Sequence, residues 1–161
     1  CDVKESWNVS DDQFVSLNDL INTINLTPVK RVVITGGEPT LYNLEPLTKR
    51  LKENNLQVHI ETSGAYPLSG NFDWVCVSPK RFKLPIDEML IRADELKMII
   101  VNRKDLDWAE ALEAETKNEC SLFLQPEWSR RKKIIGFIMD YLKANPEWCL
   151  SLQVHKYLNI P

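Results

Sequence analysis

Six apolar runs rich in β-branched residues recur along the chain, and their spacing constrains its fold more than any other feature. They lie at 31–35, 57–61, 74–78, 95–101, 121–125 and 149–153. Short apolar runs bounded by polar segments predict buried strands. Segments with helical spacing separate most of them. Because parallel neighbours need crossover connections, which are usually helices, the pattern predicts an α/β fold with a parallel sheet. An open sheet and a partial barrel both fit.

The segment 78–92 breaks this alternation. It carries Pro79 and Pro85, so that only a short helix at 87–91 fits there, and a reduced number of helices is expected. Another helix is expected to begin with Ser129 as N-cap and to end at Asn145, which precedes a proline. The sequence shows no repeat or linker, so residues 1–161 are predicted to form one domain.

Charge and cysteine usage narrow the functional classes. Lys and Arg number 20 against 23 Asp and Glu, giving a formal net charge of −3, so nucleic acid is not an expected partner. No apolar run approaches the ~20 residues that span a bilayer. Cys76, Cys120 and Cys149 sit in apolar stretches, which favours reduced core thiols in a cytoplasmic protein over a disulfide framework. Cys1 differs, because it begins a polar segment with no Met before it; the chain is therefore expected to lack its natural N-terminus.

Polar motifs containing Gly or Pro follow four of the predicted strands. They are Thr35–Pro39, Glu61–Gly64, Ser78–Lys80 and Gln125–Pro126. The carboxyl ends of parallel strands share one edge of a sheet, and that edge is where α/β proteins place their ligands. These motifs are therefore expected to assemble one pocket.

The first motif is Thr35-Gly36-Gly37-Glu38-Pro39. Paired glycines allow a ligand to approach the backbone, and Glu38 adds an acceptor for a cationic amine, so the motif suits an amino-acid ligand. A tight strand-to-helix turn is the alternative interpretation.

This motif, downstream of Cys1-Asp2, resembles the radical-SAM superfamily. Several further segments resemble the pattern of 7-carboxy-7-deazaguanine synthases: 1–7, Ser78-Pro79-Lys80, Glu95-Leu96-Lys97, Leu124-Gln125-Pro126 and 152–161. The resemblance covers the whole chain. It implies a partial TIM-like (β/α) barrel of the radical-SAM type with a reduced number of helices.

The resemblance also implies roles for individual residues. Cys1 would be one of three thiolate ligands of a [4Fe-4S] cluster. S-adenosylmethionine would contact Gly36, Gly37, Glu38, Ser78, Pro79, Lys80 and Gln125. The substrate would contact Thr35, His155 and the terminal carboxylate of Pro161. For Lys80 a solvated surface charge is the alternative, and for His155 a structural hydrogen bond; His59 is interpreted as structural. No catalytic residue is expected beyond the cofactor.

The sequence departs from the family pattern in two places. The other two cluster cysteines and a substrate-contacting segment would precede Cys1, so the chain as given could not hold the cluster. Val3 stands where the family places a hydroxylated residue that coordinates Mg²⁺, and its side chain offers no oxygen ligand. The Mg²⁺ requirement is therefore left open.

The activity that the resemblance implies is that of a lyase. A 5′-deoxyadenosyl radical would remove hydrogen from C6 of 6-carboxy-5,6,7,8-tetrahydropterin, and ring contraction with loss of ammonia would give 7-carboxy-7-deazaguanine for queuosine and related deazapurine pathways. A reductant such as flavodoxin or ferredoxin is an expected partner. A homodimer is also expected, because five tryptophans, some on helices expected to be exposed, such as that of Trp108, leave room for an interface. Two alternatives remain: a glycyl-radical activase, against which the C-terminal segment argues, and a cluster-free module that binds S-adenosylmethionine.

Overall fold

The computed structural model describes residues 13–160. The predictions for Cys1, Val3 and Pro161 lie outside the described residues.

A six-stranded parallel sheet organises the described chain. Its strands are β1 (Arg31–Ile34), β2 (Gln57–Thr62), β3 (Trp74–Val77), β4 (Glu95–Ile100), β5 (Ser121–Pro126) and β6 (Trp148–Leu150). Each strand pairs in parallel with the next one along the chain, so the spatial order is the chain order. Consecutive right-handed crossovers put their helices on the same face of a sheet. This arrangement is the partial TIM-like barrel that the family resemblance implied; the residue pattern alone had left an open sheet equally possible.

The helices are α1 (Leu17–Asn25), α2 (Glu45–Glu53), α3 (Asp87–Arg92), α4 (Lys104–Glu113), α5 (Arg131–Ala144) and α6 (Val154–Leu158), with a 3-10 turn at Pro39–Leu41. The predicted short helix in the proline-containing segment is α3. No helix was predicted at α1, although its start carries a capping signal: the Ser16 hydroxyl accepts from the backbone N–H of Asp19.

The two faces of the sheet differ in polarity. On the helix-covered face, alternate strand residues such as Ile60, Leu96 and Met98 are fully buried and pack with Leu51 of α2 and Ile138 of α5. On the opposite face the alternate positions are largely polar and partly exposed; they include His59, Glu61, Trp74, Glu95 and Lys97. The apolar core therefore lies under the helices, and the inner face of the partial barrel is left for polar contacts.

The C-terminal prediction was partly wrong. The strand expected at 149–153, with the chain to Ile160 docking as a strand, is only the short β6, and Val154–Leu158 forms α6. A short apolar run does not by itself distinguish strand from helix. The pairing of β6 with β5 ends at Leu150, after which the chain leaves the sheet.

Three smaller expectations also need correction. The residue before α5 is Arg130, which makes no capping bond, while the Ser129 hydroxyl donates to Glu127 instead. Cys76 and Cys120 are buried as expected, but Cys149 is exposed. Trp108 is half-buried against the core rather than exposed.

Across residues 13–160, no helix combines the length and the apolar character that crossing a membrane requires.

Candidate functional site

The loop after β1 offers an accessible stretch of backbone. Gly36 has φ +132°, a conformation that L side chains rarely adopt, and a Cβ built on it would meet no atom of residues 13–160 within 4 Å. The hydroxyl of Thr35 accepts the N–H of Gly36 at 2.6 Å. This loop is therefore held in a glycine-specific shape while its surface stays open to a ligand.

Glu38 links this loop to the loop after β2. Its Oε1 accepts from the backbone N–H of Thr40 at 3.2 Å, from the Thr40 hydroxyl at 2.7 Å and from the Thr62 hydroxyl at 2.5 Å. Its Oε2 accepts from the backbone N–H of Ser63 at 2.8 Å and from the Ser63 hydroxyl. Both carboxylate oxygens are thus engaged by the protein itself.

These donors keep Glu38 ionised. Burial alone would raise the pKa of its carboxyl, but the hydrogen bonds from Ser63, Thr62 and Thr40 outweigh burial and lower the pKa below its ordinary value. A ligand amine at Glu38 would share acceptors that already hold two loops together. Binding of the cofactor by Glu38 stays a prediction, and the geometry adds a loop-joining role that the sequence did not indicate.

The loop after β3 lies beside these two. Ser78 is buried, and its backbone N–H donates to the Thr62 carbonyl at 2.7 Å. Lys80 folds back so that its Nζ donates to the Ser78 hydroxyl at 3.1 Å. Gly64 has φ +76°, and a Cβ there would lie 2.9 Å from Val77 Cγ1. Close packing at Gly64 therefore brings the loop after β2 against the end of β3 and the loop that follows it.

The end of β5 brings Gln125 to the same edge and connects it to the C-terminal segment. The Ser151 hydroxyl donates to Gln125 Oε1 at 3.3 Å, and the Ser151 backbone N–H donates to the Leu124 carbonyl at 2.9 Å. Gln125 itself is buried. The chain beyond β6 therefore starts from the carboxyl edge of the sheet.

An aromatic and cationic cluster seats α6 on the segment that follows β5. The rings of Trp128 and Tyr157 meet edge to face with centroids 5.0 Å apart. The guanidinium of Arg131 lies 3.7 Å from the Trp128 ring centre, and the Lys156 ammonium lies 5.4 Å from it. His155, on the same helix, is exposed. This cluster places the C-terminal helix at the edge where the polar loops gather.

Below the loops, charged side chains line the inner face. Lys97 Nζ lies 2.7 Å from Glu61 Oε1, and Glu95 accepts from the indole N–H of Trp74 at 3.2 Å. Burial lowers the pKa of Lys97, but the neighbouring Cys76 and Glu61 outweigh it, so the pKa is raised and the amine stays charged. This ion pair was not predicted from the sequence. The alternation of charged and apolar residues in β4 could have indicated it, because a β-strand sends alternate side chains to opposite faces and so puts the charged ones on the same face.

The structure brings most of the predicted residues to one edge. Thr35, Gly36, Gly37, Glu38, Ser78, Pro79, Lys80 and Gln125 all lie in or beside loops at the carboxyl ends of strands, and α6 with His155 is anchored there too. His59 stacks on Trp74 with ring centroids 6.2 Å apart, and its structural role stays a prediction. Within residues 13–160, no group of three or more His, Cys, Asp or Glu side chains is arranged to hold a metal ion.

Two surface concavities lie elsewhere. One is beside the start of β5, near Lys117 and Cys120, and the other lies between α2 and the loop at 69–71. The first is at the amino edge of the sheet, and neither gathers the predicted site residues. The candidate site is therefore the carboxyl edge and its loops.

Comparison with known proteins points the same way. No protein-family model matches the chain. It is 50% identical, over 162 aligned residues, to the 7-carboxy-7-deazaguanine synthase of Flavobacterium psychrophilum, an alignment that spans 100% of this chain and 76% of that protein. It is 31% identical to the synthase of Escherichia coli K12, over 99% of this chain and 83% of that protein.

A solved structure agrees with these relatives. The crystal structure of QueE from Escherichia coli superposes with a TM-score of 0.81 and 29% identity, covering 95% of this chain and 78% of that one. The fold, the polar carboxyl edge and a sequence match that spans this chain and three quarters or more of these relatives lead to one conclusion: the chain belongs to the 7-carboxy-7-deazaguanine synthase family.

Proposed function

We propose that the chain is a radical-SAM lyase that converts 6-carboxy-5,6,7,8-tetrahydropterin to 7-carboxy-7-deazaguanine with loss of ammonia, in queuosine biosynthesis. The observation that carries the proposal is the gathering of the loops after β1, β2, β3 and β5 at one edge, in a chain that is 50% identical to such a synthase. That identity also favours this activity over a glycyl-radical activase or a cluster-free binder.

The described residues fit S-adenosylmethionine. The open backbone at Gly36 lets the methionine part of the cofactor approach, because no side chain in the described part of the chain occupies that space. Ser78 and Lys80 supply hydroxyl and ammonium donors, and Gln125 supplies both a donor and an acceptor. When bound, S-adenosylmethionine and a [4Fe-4S] cluster supply the radical chemistry. The protein residues bind, orient and shield the reacting molecules.

The remaining assignments follow the same arrangement. Thr35, His155 and the carboxylate of Pro161 are proposed to hold the pterin. Cys1 is proposed as a cluster ligand. Because the side chain of Val3 has no oxygen atom, any Mg²⁺ would have to be bound by other oxygen ligands. The anchoring of α6 through Trp128 and Tyr157 supports the substrate role of the tail, because it puts that helix at the site edge.

The proposed partners are a one-electron reductant and a second copy of the chain. A one-electron reductant such as flavodoxin or ferredoxin reduces the cluster. A homodimer is supported by the exposed apolar side chains on and beside α1: Phe14, Val15, Leu17, Leu26 and Val29. The free thiols of Cys76, Cys120 and Cys149 support a reducing, cytoplasmic location.

The test is anaerobic reconstitution of the full-length protein with iron and sulfide, followed by addition of S-adenosylmethionine, dithionite and 6-carboxy-5,6,7,8-tetrahydropterin. We expect 7-carboxy-7-deazaguanine and ammonia in equal amounts, measured by mass spectrometry and an ammonia assay. An intact cluster that cleaves S-adenosylmethionine without forming the deazaguanine would refute the substrate assignment.

Two neighbouring lysines provide a matched pair of variants. Lys80 and Lys83 form a β-bridge, but Lys83 places its Nζ 3.7 Å from the ring centre of Tyr66, whereas Lys80 bonds to Ser78. We expect Lys80→Ala to weaken the binding of S-adenosylmethionine about tenfold, since the charge-assisted bond proposed between the Lys80 ammonium and the cofactor is lost. Lys83→Ala should leave it within about twofold. Equal losses in both variants would contradict the role of Lys80.

A further inference from the structure

Arg81 directly follows the Ser78-Pro79-Lys80 motif and reaches across to the next loop of the site edge. Its Nε and Nη2 donate to Oδ1 of Asp105 at 3.0 and 2.6 Å. Its Nη2 also lies 3.3 Å from the Lys104 carbonyl, and its guanidinium lies 4.6 Å from the ring centre of Trp108. Three residues of the β4–α4 region thus hold one side chain from the β3 loop.

Asp105 is a firm anchor for this contact. The residue is 2% exposed, and its second oxygen, Oδ2, accepts the backbone N–H groups of Val101 and Asn102 at 2.8 and 2.9 Å. Burial alone would raise the pKa of Asp105, but the bonds from Arg81 and from these two amides lower it, so the group stays ionised. A buried carboxylate with every oxygen bonded has little freedom to move.

The β3 loop is tied on its other side by separate contacts. The Ile86 N–H donates to the Gly64 carbonyl at 2.9 Å, and the Ser78 N–H donates to the Thr62 carbonyl at 2.7 Å. Arg81 therefore supplies the link towards β4, and Lys80 lies between the two sets of contacts. Since Lys80 is the immediate neighbour of Arg81, the direction of its backbone depends on this link.

The energetics favour positioning over stabilisation as the main effect of Arg81. Its side chain is 56% exposed, so water screens the ion pair, and Asp105 keeps its two backbone N–H bonds when Arg81 is replaced. The loss of folding stability should therefore be modest. Holding a loop in its binding conformation, in contrast, removes an ordering cost that the ligand would otherwise meet. The same contact that stabilises the fold slightly can therefore change ligand affinity considerably.

We propose that Arg81, held by Asp105 and Trp108, is a positioning residue that fixes the Ser78–Lys80 loop for binding of S-adenosylmethionine. The inference rests on the proposed function, in which that loop binds this cofactor. It assigns Arg81 no contact with the cofactor or the pterin.

The chain contains a matched control on the opposite edge of the sheet. Arg92 lies 2.9 Å from Asp94 Oδ2 through Nη1, donates to the Phe72 carbonyl through Nη2 at 3.1 Å, and is 42% exposed. It therefore makes the same kinds of contact as Arg81, an aspartate and a backbone carbonyl, with similar exposure. It differs in lying at the amino edge, away from the candidate site.

The experiment compares Arg81→Gln with Arg92→Gln in the full-length enzyme with its cluster reconstituted. Equilibrium dialysis gives the Kd for S-adenosylmethionine, steady-state kinetics give KM for each substrate, and iron content reports the cluster. We expect Arg81→Gln to raise Kd and KM for S-adenosylmethionine about tenfold, with KM for the pterin and iron content within about twofold. Both variants should lose a similar, modest amount of thermal stability, and Arg92→Gln should leave both KM values unchanged.

Two further variants distinguish the loss of the Arg81 contacts from a general loss of folding. Arg81→Lys keeps the charge but loses one of the two bonds to Asp105, so it should give an intermediate Kd. Trp108→Leu removes the ring under the guanidinium and should shift Kd in the same direction by a smaller factor. An unchanged Kd in Arg81→Gln, or equal changes in Arg81→Gln and Arg92→Gln, would overturn the proposal.

The two proposals fail separately. If the unsubstituted enzyme binds S-adenosylmethionine but forms no deazaguanine, and Arg81→Gln still binds the cofactor more weakly, the substrate assignment fails and the positioning role stands. If the unsubstituted enzyme forms product and Arg81→Gln binds the cofactor normally, the positioning role fails alone.

Discussion

Carboxylates accept backbone N–H groups at both edges of the parallel sheet, but at one edge they stabilise the strands and at the other they connect the loops. At the amino edge, Asp73 accepts the N–H of Val58 at 2.6 Å and Asp94 accepts the N–H of Val75 at 2.8 Å. Each aspartate immediately precedes one strand and caps the neighbouring strand. These bonds stabilise the sheet itself.

At the carboxyl edge, Glu38 and Asp105 bond to loop amides and loop side chains instead. Glu38 joins the loops after β1 and β2, and Asp105 joins those after β3 and β4. The strands end beneath these loops, so the carboxylates shape the candidate site rather than the sheet. Identical chemistry should therefore affect stability at one edge and ligand binding at the other.

The largest effect is expected for Glu38→Gln. A glutamine amide keeps the shape but places an NH₂ group against donors from Thr40, Thr62 or Ser63, so at least two charge-assisted bonds are lost. Each such bond is worth about 1.5–3 kcal/mol, and we expect the affinity for S-adenosylmethionine to fall about 100-fold. Equilibrium dialysis measures this; a Kd within threefold of the unsubstituted protein would show that the loops do not depend on Glu38.

Asp94→Asn should give the opposite pattern. Asp94 receives Lys117 Nζ at 2.5 Å and Arg92 Nη1 at 2.9 Å, so its neutralisation leaves two cations without their partner. We expect the free energy of unfolding to fall by about 2–4 kcal/mol, measured by urea denaturation. The Kd for S-adenosylmethionine should stay within about twofold. A large loss of affinity at unchanged stability would break the distinction between the edges.

The smallest effect is expected in the pH dependence of the free energy of unfolding, to which Asp73 and Asp94 both contribute. Hydrogen bonds from Lys52 and Val58 lower the pKa of Asp73, and those from Lys117 and Val75 outweigh burial to lower that of Asp94. A lowered folded-state pKa means that the unfolded chain takes up protons first as pH falls below about 5, so stability is lost towards pH 3. Urea denaturation at several pH values across this range should show that the free energy of unfolding changes less steeply with pH in Asp94→Asn than in the unsubstituted protein. An identical slope would mean that Asp94 does not contribute.

The loop positions and the contacts between loops differ in how far the sequence could predict them. Thr35–Glu38, Ser78–Lys80 and Gln125 were placed correctly at strand ends, because strand runs and Gly or Pro punctuation are local signals. The bonds of Glu38 to Ser63 and of Arg81 to Asp105 join residues 25 and 24 positions apart. Those pairings depend on strand register and loop path, which no local pattern encodes. The helix α6 was missed because its short apolar run suits a strand equally well.

The amino-acid sequence by itself determined the alternation of strands and helices, the parallel sheet, and the edge at which polar motifs gather, since periodicity and chain direction are properties of the order of residues. Only the tertiary structure decided which donors each carboxylate receives, which face of the sheet carries Glu61 and Lys97 together, and where α6 rests on Trp128. The physical reason is that hydrogen bonds, ion pairs and ring contacts act over a few ångströms. They form only between groups that the completed fold has already brought into contact.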